Sequence, residues 1–511
     1  MDNLNQPSTS DGKNEFQGKC KYRIIKELGS GVTGKVFEIV DQFGEKKALK
    51  TLNFLKFNRA QLNELKQEIN FLRRLDHPNI VRIFEVYKSE DSIRVIMDLC
   101  EGGDLRSSFR RLYANETKIS IIAYQLFLSL KYLHDRNIVH RDVKLENIML
   151  VSNNRDNMSI RLIDFGFATE MKFSNFPWIF KKSKTNLKSY CGSPLAMAPE
   201  CFLGSYDEKC DIWSAGIVIY VLITGKYPFD VDPKKLIQYQ VVEETFSNVD
   251  FSHPNFEKCP KLMRILQNNI FLTNPKNRCS AGQILNCDWF HNVIRHKLEK
   301  PISTQVIDKG NDDTDTKNFE SKLIQSFQTF QVLEESNKLL SLVLARFLPI
   351  NEVTRFHQVF LSINRDHSGL INFNEFKDFL KSHGIGDKIV VQKLFRTLDV
   401  DGSGKIQLTE FIAASIPACE IKLKVTVLSN VLRLLYAQQD YYIETEPRTS
   451  KEIYSDQDIF FFNLTTLIPV GKRKDLKNRN TILILLEELQ TLCRKNLEGP
   501  DLAADKLVCE D

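Results

Sequence analysis

The sequence predicts an α+β domain followed by an all-α module, and three observations carry that expectation. Residues 22–293 alternate β-like runs with helical ones and hold most of the motif-like clusters. Residues 297–318 lack hydrophobic periodicity and carry an acidic patch, which reads as a linker. From Phe319 onward the pattern is helical, with two internally similar segments at 364–375 and 399–410. The expected organisation is a polar extension over 1–21, a first domain over 22–293, a linker and junction over 294–347, a paired module over 348–420, and a C-terminal stretch over 421–511.

Composition limits the classes available. At about 150 residues per domain, a chain of 511 residues suggests roughly three units. Lys plus Arg is 70 and Asp plus Glu is 65, a net charge of +5, so no basic footprint for nucleic acid is expected. The 11 cysteines are scattered with no C-x-x-C pair, which fits reduced thiols better than a disulfide framework. The N-terminal stretch is polar, and the apolar run Ile212–Thr224 is too short to span a bilayer. Asp2 stands where N-myristoylation needs Gly, so no such membrane anchor is expected. The expected compartment is the cytoplasm, with the nucleus open, and the expected state is a monomer.

Leu28–Val36, LGSGVTGKV, fits two phosphate-loop templates. Gly29, Gly34 and Lys35 meet most of a Walker A loop, but Val36 replaces the Ser or Thr that would bind magnesium. Gly29, Gly31 and Gly34 also fit a glycine loop between two strands that is followed by a lysine on the next strand. A glycine turn with no ligand is the plain alternative. Downstream, Ala48 and Lys50 alternate on one strand face. Lys47 falls on the other face, where its long side chain is expected to reach solvent. Leu62, Leu65, Ile69 and Leu72 recur at helical spacing, and Glu68 borders that stripe. A carboxylate facing inward needs a partner, and Lys50 is the obvious cation.

HRDVKLEN (His140–Asn147), DFG (Asp164–Gly166) and APE (Ala198–Glu200) follow in that order, and here the chain resembles the eukaryotic protein kinase family. The resemblance implies an α+β bilobal protein kinase fold with a β-rich N-lobe and a helical C-lobe. It implies that Asp142 accepts the substrate hydroxyl proton, Lys144 steadies the γ-phosphate of ATP, and Lys50, paired with Glu68, holds the α- and β-phosphates. Asn147 and Asp164 would hold magnesium. Gly29, Ser30, Gly31 and Gly34 would cover the phosphates. Leu28, Val36, Ala48 and Met149 would line the adenine slot, with Met97 as gatekeeper, the Asp98–Cys100 backbone as hinge and Asp104 at the ribose. Arg278 is expected to pair with Glu200. Ala196 stands where the family carries an aromatic residue. No catalytic or metal position is missing.

The resemblance also suggests protein substrates whose Ser or Thr is preceded by Arg, which Asp104 and Glu146 would bind. Phe167 resembles kinases that prefer serine. The alternative keeps Asp104 for the ribose and Glu146 for structure. Ser189 lies where related kinases carry a phosphorylated loop residue, which Arg141 could receive.

Two twelve-residue loops fit the EF-hand pattern. In the first, Asn364, Asp366, Ser368, Asn372 and Glu375 supply side-chain oxygens and Leu370 a backbone carbonyl; in the second, Asp399, Asp401, Ser403, Gln407 and Glu410 do so with Lys405. Gly369 and Gly404 make the sharp turn, and Ile371 and Ile406 are placed to pair between the loops. The second loop has three carboxylates and the first has two, so the second is expected to bind calcium more tightly.

A kinase domain, a junction and EF-hands together resemble the calcium-dependent protein kinases of plants and protists. By that resemblance Phe319–Phe347 is an intramolecular junction helix that blocks the cleft until calcium draws it away. Tyr436–Pro447, where a further hand would fall, lacks Asp-x-Asp ligands and the turn Gly, so 421–511 reads as a degenerate helical lobe and tail. The function implied is a calcium-regulated serine/threonine kinase using ATP, magnesium and calcium. Two other readings stay open: a calcium-responsive scaffold with an inactive kinase fold, and a constitutive kinase with structural EF-hands.

Overall fold

The computed structural model describes residues 22–30, 34–40, 44–53, 65, 68–69, 71–72, 74–88, 92–171, 194–229 apart from 203 and 205, 245–290, 312–333, 338, 341–342, 344–346, 348 and 350–416. The N-terminal lobe is a five-stranded antiparallel sheet of β1 (Arg23–Ser30), β2 (Gly34–Val40), β3 (Lys46–Asn53), β4 (Ile83–Lys88) and β5 (Ser92–Met97), in the order β1-β2-β3-β5-β4. Leu65, Ile69 and Leu72 are helical and buried in the core, as the spacing predicts, with Glu68 buried beside them; Leu62 lies outside the described residues.

Lys47 departs from expectation. It is buried, with its ammonium 5.7 Å from the Tyr22 ring centre and 5.4 Å from that of Phe84. The ring faces draw the cation inward, so the outer sheet face carries a small apolar cluster around it.

Two long helices organise the second lobe. Helix α1 (Glu116–His134) starts at Asn115, whose side chain accepts from Lys118 N. Helix α2 (Lys209–Thr224) is buried along its length and ends at Gly225, where φ is +77°. Its Trp213 sits among Phe229, Phe246 and Phe271. Arg278 is buried and forks onto Glu200 at 2.6 and 3.0 Å, as expected. Ala196, the departure from the family pattern, is buried, and its carbonyl accepts from Ser214 Oγ at 2.8 Å.

A second core follows. Helix α3 (Asp312–Val332) begins inside the stretch expected to be linker, and lays Leu323, Ile324, Phe327 and Phe330 into this core. Helices α4 (Ile350–Ile363), α5 (Phe373–Ser382), α6 (Lys388–Leu398) and α7 (Leu408–Ser415) complete two helix–loop–helix hands. Between the hands, Ile371 and Ile406 exchange both backbone hydrogen bonds, at 3.0 and 2.9 Å. Among the described residues no helix is long and apolar enough to cross a membrane.

Candidate active site and calcium loops

The strand register sets the cleft. Val36 on β2 lies opposite Lys50 on β3, and Ala48 lies opposite Met97 on β5. Gly29 faces Val36 across β1 and β2, and among the described residues a Cβ there would meet nothing within 4 Å. Ser30 ends β1 opposite Lys35; Gly34 lies opposite Leu52 at the start of β2; Leu28 is largely exposed. Gly31 lies outside the described residues, as does Ser189.

Lys50 Nζ lies 3.0 Å from Glu68 Oε1, the expected pair. Burial opposes the Lys50 charge, but Glu68 and Asp164 outweigh it and hold its pKa above the ordinary value. The lysine is therefore cationic where phosphates would need it.

Asp142 is buried, and its Oδ2 accepts from Lys144 Nζ at 2.6 Å and Asn147 Nδ2 at 2.8 Å. Asn147 also donates to the Asp142 carbonyl, which leaves its amide oxygen as the atom to offer a cation. That oxygen and the Asp164 carboxylate form a hard donor set, which fits magnesium. Arg141 and Asp164 both have left-handed backbones, φ +67° and +62°, uncommon for residues other than glycine.

The strained catalytic loop is held from the start of α2. Asp211, fully buried at the start of α2, accepts from His140 N at 2.9 Å and Arg141 N at 2.8 Å, and lies 3.0 Å from His134 Nε2. Burial would raise its carboxyl, but His134, His140 and these hydrogen bonds keep it below its ordinary value. No motif spacing signals this, because Asp211 lies 71 residues from His140.

Other expected site residues show a second contact. Asp98 leads into the hinge, with its side chain buried against Arg82 Nη2 at 3.1 Å and Arg161 Nε at 3.5 Å. Burial and Asp98 push the Cys100 thiol up to about 12, so it stays protonated. Asp104 bridges to Met149 and accepts from Ser107 N at 2.7 Å. Glu146 lies 3.9 Å from Arg106. Arg141 donates to Tyr206 Oη at 2.6 Å and to the Phe167 carbonyl.

The two calcium loops share a frame. Glu410 accepts from the backbone N–H groups of Asp401 and Gln407, and Glu375 from those of Asp366 and Asn372. Gly404 N donates to Asp399 Oδ2 as Gly369 N does to Asn364 Oδ1. The centres differ. In the second loop, oxygens of Asp399, Asp401 and Glu410 lie within 4.8 Å of one another. Burial and mutual repulsion raise the Asp399 and Glu410 carboxyls, Glu410 strongly, so this donor set fits a divalent cation. In the first loop, Asn364 Nδ2 stands among the ligand oxygens, donating to Asp366 Oδ1 at 3.1 Å, Ser368 Oγ at 3.3 Å and the Leu370 carbonyl at 2.5 Å.

The hands sit on the kinase-like lobe. Thr409 N donates to Asp76 Oδ2 at 2.7 Å, Arg346 lies 3.7 Å from Asp76, and Arg82 Nη2 donates to the Leu348 carbonyl at 3.3 Å.

A two-lobed domain whose cleft joins a Lys–Glu pair to an Asp–Lys–Asn cluster defines a phosphotransferase class, here with paired calcium-type loops behind it. The model of the protein kinase domain matches residues 22–290, and the chain belongs to that family. A model of the EF-hand domain pair matches 353–416. The chain is 31% identical over 399 residues to calcium-dependent protein kinase 5 of Plasmodium berghei (strain Anka), covering 77% of this chain and 65% of that one. It is 29% identical over 405 residues to calcium-dependent protein kinase 3 of Plasmodium yoelii yoelii, covering 77% and 68%. It is 27% identical over 406 residues to calcium-dependent protein kinase 8 of Arabidopsis thaliana, covering 77% and 69%. The chain thus spans about two thirds of the length of these relatives.

Proposed function

We propose that this chain is a calcium-regulated serine/threonine protein kinase that transfers the γ-phosphate of ATP to protein hydroxyls. The Asp142 cluster carries the reading: a buried carboxylate, bonded to Lys144 and Asn147, stands at the end of a cleft that also holds the Lys50–Glu68 pair. Asp142 orients the substrate hydroxyl and takes its proton, while Lys144 and Lys50 offset phosphate charge. Magnesium, held by Asn147 and Asp164, would neutralise charge developing on the phosphates. Substrate specificity for a preceding Arg rests on Glu146, which an incoming guanidinium would take from Arg106.

Calcium control acts through the hands. The junction helix α3 buries its apolar face in the hand core, and the proposed switch is its exchange between that core and the cleft. The test is phosphorylation of an Arg-containing serine peptide in Mg-ATP, with chelator or with calcium. Activity that rises with calcium and is absent from Asp142→Asn is expected. Activity retained in Asp142→Asn would overturn the catalytic assignment, and equal activity in both conditions would overturn the regulation.

A further inference from the structure

We propose that the first loop, 364–375, is closed by the side-chain amide of Asn364 in place of a calcium ion and acts as a fixed foot on the kinase lobe. Loop 399–410 is then the calcium-responsive one of the two. The inference deepens, and rests on, the reading of this pair as a calcium sensor.

The orientation of the Asn364 amide follows from its partners. Gly369 N–H points at one side-chain atom, which must therefore be the oxygen, at 3.0 Å. The other atom faces three acceptors, Asp366 Oδ1, Ser368 Oγ and Leu370 O, and must be the nitrogen. Turning the amide over would set nitrogen against N–H and oxygen against three oxygens. These acceptors belong to positions three, five and seven of the loop, the oxygens that would otherwise converge on a cation. The amide nitrogen thus stands where the ion would be, and an ion could enter only by breaking its hydrogen bonds. The donor set that remained would hold two carboxylates and a neutral residue at position one, so it does not fit a calcium ion as the second loop does.

Docking reinforces the closure. Asn364, Ser368 and Gly369 are buried, whereas 402–405 of the second loop are exposed. The His367 ring meets the Tyr124 ring edge-on at 5.8 Å. Gly369 has φ +73°, and a Cβ there would collide with the Tyr132 ring and crowd His77. Tyr124 and Tyr132 lie on α1 of the kinase lobe, so the ion-binding turn of the first loop is built against that helix, whereas the corresponding turn of the second, 402–405, is exposed.

Two measurements on the full chain decide it. Calcium counted by equilibrium dialysis should fall by one ion per chain in Glu410→Gln and stay at the wild-type count in Glu375→Gln. Hydrogen exchange of the wild-type protein should slow across 399–410 on adding calcium and stay unchanged across 364–370, short of Ile371, which is bonded to the second loop. A Glu375→Gln protein that loses one ion, or calcium-dependent protection of 364–370, would overturn the proposal. Wild-type protein that binds no calcium would sink the sensor reading and leave the closure of the first loop supported.

Discussion

Asp142 accepts hydrogen bonds from Lys144 and Asn147, so its carboxylate is held in place before any substrate arrives. Asp142→Asn removes the base, and kcat is expected to fall by about 10²–10⁴-fold, measured by steady-state phosphorylation, with calcium binding unchanged. Asp211 acts one step away, as a positioning residue. Its carboxylate receives the N–H groups of His140 and Arg141, the second in a left-handed backbone. Asp211→Asn keeps the shape but weakens charge-assisted bonds worth about 1.5–3 kcal/mol each. The expected result is a lower kcat with KM for ATP nearly unchanged, and equal losses in both would contradict the positioning role.

At the scale of elements, the hands meet the kinase lobe through a few defined contacts. Thr409 N, at the start of α7, points at Asp76, a carboxylate favourably placed at a helix N-terminus. Asp76→Ala is expected to loosen that end, read as faster amide exchange at Thr409 without a change in calcium count. Gly369→Ala would add a left-handed cost of about 1–2 kcal/mol and a collision with Tyr132. It should speed exchange along Tyr124–Tyr132 more than within β1–β5. What the sequence made legible at this scale follows a rule. Lys50–Glu68, Glu200–Arg278 and Ile371–Ile406 were readable because motif order or loop symmetry places each pair. The Asp76–Thr409 contact spans 333 residues, and no motif order or loop symmetry pairs the two. Lys47 misled because strand alternation reports a face without reporting that two rings wait there. Asn364 was legible as a weak ligand; its amide as a donor to three loop oxygens needed the folded loop.

Across the whole molecule, the seam between lobe and hands carries its own pH dependence. Burial, then Arg136 and Arg161, press His77 well below its ordinary 6.5. Burial, then Arg161, Arg82 and His77, do the same to His357 on α4. Both are neutral in the folded protein, so the unfolded chain takes up more protons once the pH falls below about 6.5. The stability they permit is complete above that value and is lost as pH falls toward their depressed folded values, by at most about 1.4 kcal/mol per pH unit for each. Urea unfolding should show this loss between about pH 6.5 and 5, and it should be smaller in His357→Gln. The lobe, the seam and the hands together make one claim: calcium acts on catalysis from inside the same chain. The most direct test is the initial rate of peptide phosphorylation by the full chain across a calcium titration, beside Glu410→Gln. A rate that rises with calcium in the wild-type chain, with that rise abolished in Glu410→Gln, is the expected result. A rate independent of calcium in the wild-type chain would contradict the claim.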